Sequence, residues 1–170
     1  MQILLLALAV GLASAQNNPT PSEIDGEWHS IYIAADNVEK IEEGGDMRGY
    51  FRELHCQDGC KNISIRFYIK KEGVCQEFTV VGVKDEASGD YFTDYSGENY
   101  FSIVYNTQEF IIFHNKNVDV AGKTTNVILA TGKRYSLTVQ EQQKFAAVVE
   151  EYRIPLQNTR NVILTDTCPE

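Results

Sequence analysis

Positive charge is scarce in this 170-residue chain: Lys and Arg total 15 against 24 Asp and Glu, a formal net charge of −9. A surface of that sign repels phosphate backbones and anionic headgroups, which argues against nucleic-acid partners and polybasic membrane docking. Proline (4) and glycine (12) are too few for collagen-like or low-complexity sequence. Histidine occurs only at His29, His55 and His114, scattered along the chain. No Ser-His-Asp set or carboxylate pair can be assembled around them, so no catalytic residue is expected. Neither a metal nor an organic cofactor is implied.

Long apolar runs are missing too. The longest, residues 3–12, is about half the roughly twenty residues that span a bilayer. It is followed by Ala13-Ser14-Ala15, an A-x-A cleavage pattern. Residues 1–15 therefore read as a secretory signal peptide, although no Lys or Arg precedes the apolar run. That leaves residues 16–170 as one secreted, extracellular domain, long enough for a single sizeable core.

Secretion governs how the four cysteines are read. Cys56, Cys60, Cys75 and Cys168 are an even number in an oxidising compartment, and two disulfides are the default among three possible pairings. Cys56 and Cys60 come within reach if the chain turns at Asp58-Gly59, which leaves Cys75 for Cys168. Zinc competes weakly, because the C-x3-C has no second ligand pair at suitable spacing. Asn62-Ile63-Ser64 is an N-glycosylation sequon and implies an outward-facing Asn62.

From Trp28 to Thr131 the dominant pattern is period two. Trp28, Ser30 and Tyr32 alternate with His29, Ile31 and Ile33, and Ile63, Ile65, Phe67 and Ile69 alternate with polar neighbours. The same alternation returns around Phe78, Tyr91, Phe101, Ile111 and Val127. Hairpin-length breaks such as Lys71-Glu72-Gly73 and Ser96-Gly97 separate the runs. About eight antiparallel strands in sequence predict an up-and-down β-barrel, which removes its own edges. The period then changes: Thr138 and Glu141 form a capping box, and Phe145, Val148, Val149 and Tyr152 make one apolar stripe. This predicts a helix of about fifteen residues packed on the barrel and stopped by Ile154-Pro155. Val162-Ile163-Leu164 is expected as a short final strand, and the run Glu39 to Glu43 as a solvated loop.

A barrel of this size either holds one small ligand or is filled by its own side chains. The inward rows are mostly apolar, with small gaps at Gly49 and Gly82. Asn99, Asn115 and Tyr95 place a few polar groups among them, and buried amides without partners are costly enough to suggest a use.

Gly26-Glu27-Trp28 is a GxW at the start of the first strand. With Cys56-x-x-x-Cys60, Tyr91-x-x-x-Tyr95-x-Gly97, the stretch from Ile33 to Gly45 and the ending TDTCPE, it resembles the mammalian odorant-binding and pheromone-carrying lipocalins. The resemblance covers essentially the whole mature chain. It implies an eight-stranded calyx with a flanking helix, carrying one small hydrophobic molecule reversibly. The family's disulfides match Cys56 with Cys60 and Cys75 with Cys168. Its calyx lining falls on Ile33, Met47, Gly49, Phe51, Ile65, Phe67, Phe78, Val80, Tyr91, Thr93, Tyr95, Asn99, Phe101, Ile103, Phe113, Asn115, Val127, Leu129 and Thr131. Tyr95 stands at the family's mouth position and Asn115 at its polar contact. Met47 and Gly49 depart from the larger or branched residues of relatives. The family's cation over the floor tryptophan falls on Lys133 or Arg134. Some lipocalins are enzymes that use a free calyx thiol, and disulfides would leave none here. The alternative is a protein that signals through its own surface, recognised by a chemosensory receptor. Fastening the tail by a disulfide argues for a monomer rather than a dimer that exchanges this segment.

Overall fold

The computed structural model describes residues 19–170; the expected signal peptide, residues 1–15, lies outside the described residues. The alternating runs form β1 (Gly26–Glu27), β2 (His29–Ala35), β3 (Tyr50–Gln57), β4 (Asn62–Lys71), β5 (Val74–Lys84), β6 (Tyr91–Asp94), β7 (Glu98–Asn106), β8 (Phe110–Val118) and β9 (Thr124–Gly132). Each pairs antiparallel with its neighbours, in the order β1-β3-β4-β5-β6-β7-β8-β9-β2.

The two ends of that order meet in the chain itself. β1 pairs with β3 through Gly26 and Leu54, β2 pairs with β9 from His29–Gly132 to Ala35–Val127, and only Trp28 separates them. They are one bent strand with two partners, so the expected eight strands wrap into a calyx. A bulge between Ser30 and Tyr32 breaks the strict alternation expected there. Ile31 and Tyr32 both turn outward, while Trp28, Ile33 and Ala35 join the interior cluster. Ser30 Oγ donates to the Gly49 carbonyl at 2.7 Å and accepts from Phe51 N at 3.0 Å, lacing the bent strand to β3.

The outward residues of β2, β8 and β9 receive the helix. α1 is a single turn, Pro21–Ile24, and α2 spans Val139–Glu151. Thr138 Oγ1 accepts from Glu141 N, and Thr138 N donates back to the Glu141 carboxylate, completing the capping box. Phe145, Val148 and Val149 are buried against Ile31, Phe110, Ile112 and Ile128. Tyr152 lies just past the helix and stacks on His114 at 4.2 Å. The helix is thus shorter than expected. It ends where Arg153 takes a φ of 58°, before Pro155 is reached.

The expected final strand is displaced. β10 is Thr159–Asn161, paired with Tyr32 to Ala34, and Val162–Thr165 is a 3-10 turn instead. Its β-branched residues favour a strand, but the tail must swing across the outside of β3, β4 and β5. There Arg52 (β3), only 3% exposed, donates to both Asp166 oxygens and to the carbonyls of Pro169 and Cys168. Lys70 (β4) donates to the Thr165 carbonyl, and Cys75 (β5) is disulfide-bonded to Cys168. Cys56 and Cys60 are bonded across the β3–β4 turn, so none of the four thiols is free.

The floor explains the GxW spacing. Trp28 is fully buried, donates from Nε1 to the Ile24 carbonyl at 2.7 Å, and lies under Lys133 Nζ, 4.3 Å from its ring centroid. Lys133 rather than Arg134 supplies the cation–π contact. A Cβ at Gly26, whose φ is +131°, would stand 2.6 Å from that ammonium, so the glycine keeps the space open.

The Cys75–Cys168 crosslink closes a loop of 93 residues. In the loop-entropy description, the double variant C75S/C168S should lose up to about 4–5 kcal/mol of stability. A denaturant titration that found it as stable as the parent would show that the polar contacts of Arg52 and Lys70 hold the tail without the crosslink.

Candidate functional site

Inside the calyx is a cavity whose wall is almost entirely apolar. The centre of a water-sized sphere can move through about 100 Å³ of it, several times the roughly 10–15 Å³ that one water needs. Its wall consists of Asp46, Met47, Gly49, Phe51, Ile65, Phe67, Val80, Thr93, Tyr95, Asn99, Phe101, Phe113, Asn115, Val127 and Leu129. Strand alternation supplies most of these, since residues two apart share a face. Gly49 is needed for close approach: a Cβ there would meet the Phe67 ring at 3.3 Å and Phe51 at 3.7 Å. The gap expected at Gly82 is instead filled by the ring of Phe101.

Five residues expected in the lining stand behind it. Tyr91 stacks on Phe101 at 5.2 Å and donates its hydroxyl to the Cys60 carbonyl. Phe78 backs Phe67 and meets the edge of Tyr95. Thr131 is wholly buried and donates to the Ile111 carbonyl. Ile33 is closed off within the interior cluster, and Ile103 packs against that cluster. These residues buttress the wall, Tyr91 and Phe78 through the rings stacked on them and the others through burial or packing in the interior.

The polar part of the wall is a chain of amides. Asn99 Nδ2 donates to the Tyr95 carbonyl at 2.7 Å, which fixes its Oδ1 as an acceptor. Asn115 and Asn117 both donate to that Oδ1 at 3.0 Å. Asn115 therefore turns its amino group to Asn99, and its own Oδ1 is buried without a hydrogen-bond partner. Asn117 was not among the expected site residues. The period placed it on the same row as Asn115, but nothing in the sequence marked it as the third amide.

At the mouth the loop between β2 and β3 is solvated only in part: Glu39 and Glu43 are exposed as expected, but the loop is also anchored inward. Ile41 is fully buried, and Arg48, itself buried, donates to its carbonyl and to Thr165 Oγ1. Around it Lys40 pairs with Asp119, Lys123 with Glu39 and Arg160 with Glu42. Three of the four charges in the run Glu39 to Glu43 thus strap the loop down, while its one large apolar residue points in. Asp46, also missed, joins three loops: it accepts from Lys71 Nζ at 2.8 Å and Ser96 Oγ at 2.6 Å, and its carbonyl accepts from the Tyr95 hydroxyl at 2.9 Å. Burial pushes the Tyr95 phenol's pKa well up, so it remains a donor at any physiological pH.

The ammonium of Lys71, followed by the Ser96 hydroxyl, holds the Asp46 carboxyl below its ordinary pKa of 3.8. A group whose pKa is depressed by folding gives its full contribution above the unfolded value and loses it as pH falls through the folded one. Hydrogen exchange of residues 40–47 should therefore quicken in that acid range in the parent protein. In D46N this acid step should be missing and exchange at neutral pH faster. An equal acid step in both proteins would assign the latch to Lys40–Asp119 or Lys123–Glu39 instead.

Comparison with known proteins agrees with this geometry. A female-specific lacrimal gland protein of Mesocricetus auratus is 49% identical, over 100% of this chain and 99% of its own length. The crystal structure of aphrodisin, a sex pheromone from female hamster, superposes with a TM-score of 0.84 at 43% identity, covering 86% of this chain and 99% of that one. Bovine odorant-binding protein in complex with undecanal superposes at 0.64 with 32% identity, covering 89% and 97%. Residues 25–166 match the sequence pattern of the lipocalin / cytosolic fatty-acid binding protein family, and the chain belongs to that family.

Proposed function

We propose that the protein is a secreted carrier that binds small volatile hydrophobic molecules, odorants or pheromones, reversibly in its calyx and performs no catalysis. The observation that carries this reading is the cavity itself: a mostly apolar wall with linked amides at Asn99 and Asn115. Such a site ranks molecules by size and shape before functional group. Bovine odorant-binding protein, of related fold, holds undecanal. A relative named for the lacrimal gland supports export, with residues 1–15 removed as the leader.

The magnitudes are consistent. A ten-carbon ligand buried at about 0.8 kcal/mol per methylene gains roughly 8 kcal/mol. Before ordering costs that corresponds to about 1 μM. The unpartnered Asn115 Oδ1 offers more to a ligand that donates, since an unmatched buried acceptor costs about 1–3 kcal/mol.

Titration of the delipidated protein with a fluorescent hydrophobic probe, then competition with medium-chain alcohols and alkanes, tests the proposal. Saturable one-to-one binding near micromolar is expected. Gly49→Leu, which fills the space against Phe67, should weaken it about tenfold or more. Asn115→Leu should cost alcohols about fivefold, equivalent to roughly 1 kcal/mol, and spare alkanes. Absence of saturable binding by correctly disulfide-bonded protein would reject the carrier reading and favour recognition of the protein's own surface by a receptor.

A further inference from the structure

The outside of the barrel carries an apolar strip unrelated to the helix or the calyx. Pairing register aligns one rung across the sheet: Asn62 on β4 lies opposite Val83 on β5, Val83 opposite Phe92 on β6, Phe92 opposite Tyr100 on β7, and Tyr100 opposite Lys116 on β8. The flanking residues Ile63, Gly82, Tyr91 and Phe101 face inward, so every member of the rung faces out. Val83 is 55% exposed, Val81 beside it 43% and Tyr100 37%. Phe92 and Tyr100 lie with ring centroids 5.3 Å apart. α2 covers the outer side of β2, β8 and β9 and the tail is tied to β3, while this strip is covered by neither.

Asn62 begins the strip, and Asn62-Ile63-Ser64 is the glycosylation sequon. Its carboxamide makes no hydrogen bond among the described residues, whereas the buried amides of Asn99, Asn115 and Asn117 are tied into a network. Strands lie about 4.8 Å apart, so Val83 and Phe92 stand one and two spacings from Asn62 along the rung. A pyranose ring is comparable in width to one spacing. Its axial C–H face is apolar and packs on aliphatic and aromatic side chains.

We infer that Asn62 carries an N-linked glycan whose first two sugars lie along this rung, over Val83 and Phe92, and shield the strip from water. This rests on the secretory route proposed above, where the sugar donor is found. In the transfer, the Asn62 amide nitrogen bonds to the anomeric carbon of an N-acetylglucosamine. The bond from that carbon to the diphosphate of a lipid-linked oligosaccharide breaks, the lipid diphosphate leaves with the electron pair, and the amide gives up one proton. Asn62 is fixed between β3 and β5 in the folded sheet, so the transfer precedes docking of β4. The outward side chain then lets the barrel close around a modified residue.

The full chain should be produced in mammalian secretory cells and compared with Ser64→Ala, which removes the sequon and keeps Asn62. Mass spectrometry of peptides from the medium should find hexosamine-bearing Asn62 in the parent alone. Glycan removal from the parent should lower its melting temperature by about 2–4 °C, the shift expected of 1 kcal/mol in a protein of this size. In Val83→Thr or Val83→Thr/Phe92→Thr, the same treatment should change it much less. Contacts between N-acetylglucosamine protons and the Phe92 ring in NMR spectra provide a second readout. Unmodified Asn62 in secreted protein, or equal melting shifts in all backgrounds, would overturn the inference. Retention of the chain inside the cell would count against the secretion reading instead; fusion to a leader of known function would then supply material for the same glycan measurements.

Discussion

Hydrogen-bonding groups on the edge of a sheet must find partners, and here the last strand of the calyx finds its partner in the first. β2 can pair with β9 only because the chain bends at Trp28, leaving β1 to pair with β3. A long open edge would invite pairing with other chains, and without the closure there would be no interior to keep dry. The floor is built on the same bend. Gly26 makes room for Lys133, Trp28 fills the bottom beneath it, and Ser30 bridges the gap in the backbone ladder.

The barrel is fastened unequally. One side is strapped by a disulfide and by a bidentate Arg52–Asp166 pair with both partners nearly inaccessible, where removal of either charge would strand the other in low dielectric. The mouth is held by pairs such as Lys123–Glu39 and Lys71–Asp46, half-exposed on both sides. Such pairs contribute little singly and are screened by salt. A structure arranged this way loosens first at the mouth while its wall stays intact, which suits a cavity that must exchange its contents.

Much of this was legible because it depends on local periodicity. Alternation located the strands from Phe51 to Leu129, and the capping residues Thr138 and Glu141 marked the helix start. It failed where one inserted residue changes the phase, as at the Ser30–Tyr32 bulge, since a bulge has no strong composition of its own. It failed again where long-range contacts decide. Ile41 sits among charges and reads as loop, yet those charges pair with residues about eighty positions away and draw it inward. Asp46 and Asn117 owe their roles to partners on other loops. Tyr91 and Thr131 follow the inward period correctly, but whether an inward residue faces the cavity or supports a neighbour depends on local contacts, the Phe101 ring stacked on Tyr91 and the Ile111 carbonyl that accepts from Thr131.

The tail that crosses β3, β4 and β5 also sets an order of events during synthesis. Cys75 is made 93 residues before its partner Cys168. Before residues 166–168 are made, Cys56 and Cys60 can pair across their turn, but Cys75 remains a reactive thiol on a sheet whose strap has not arrived. Until residues 166–168 arrive, a barrel folded as far as β9 carries an unpaired cysteine and an Arg52 deprived of its carboxylate.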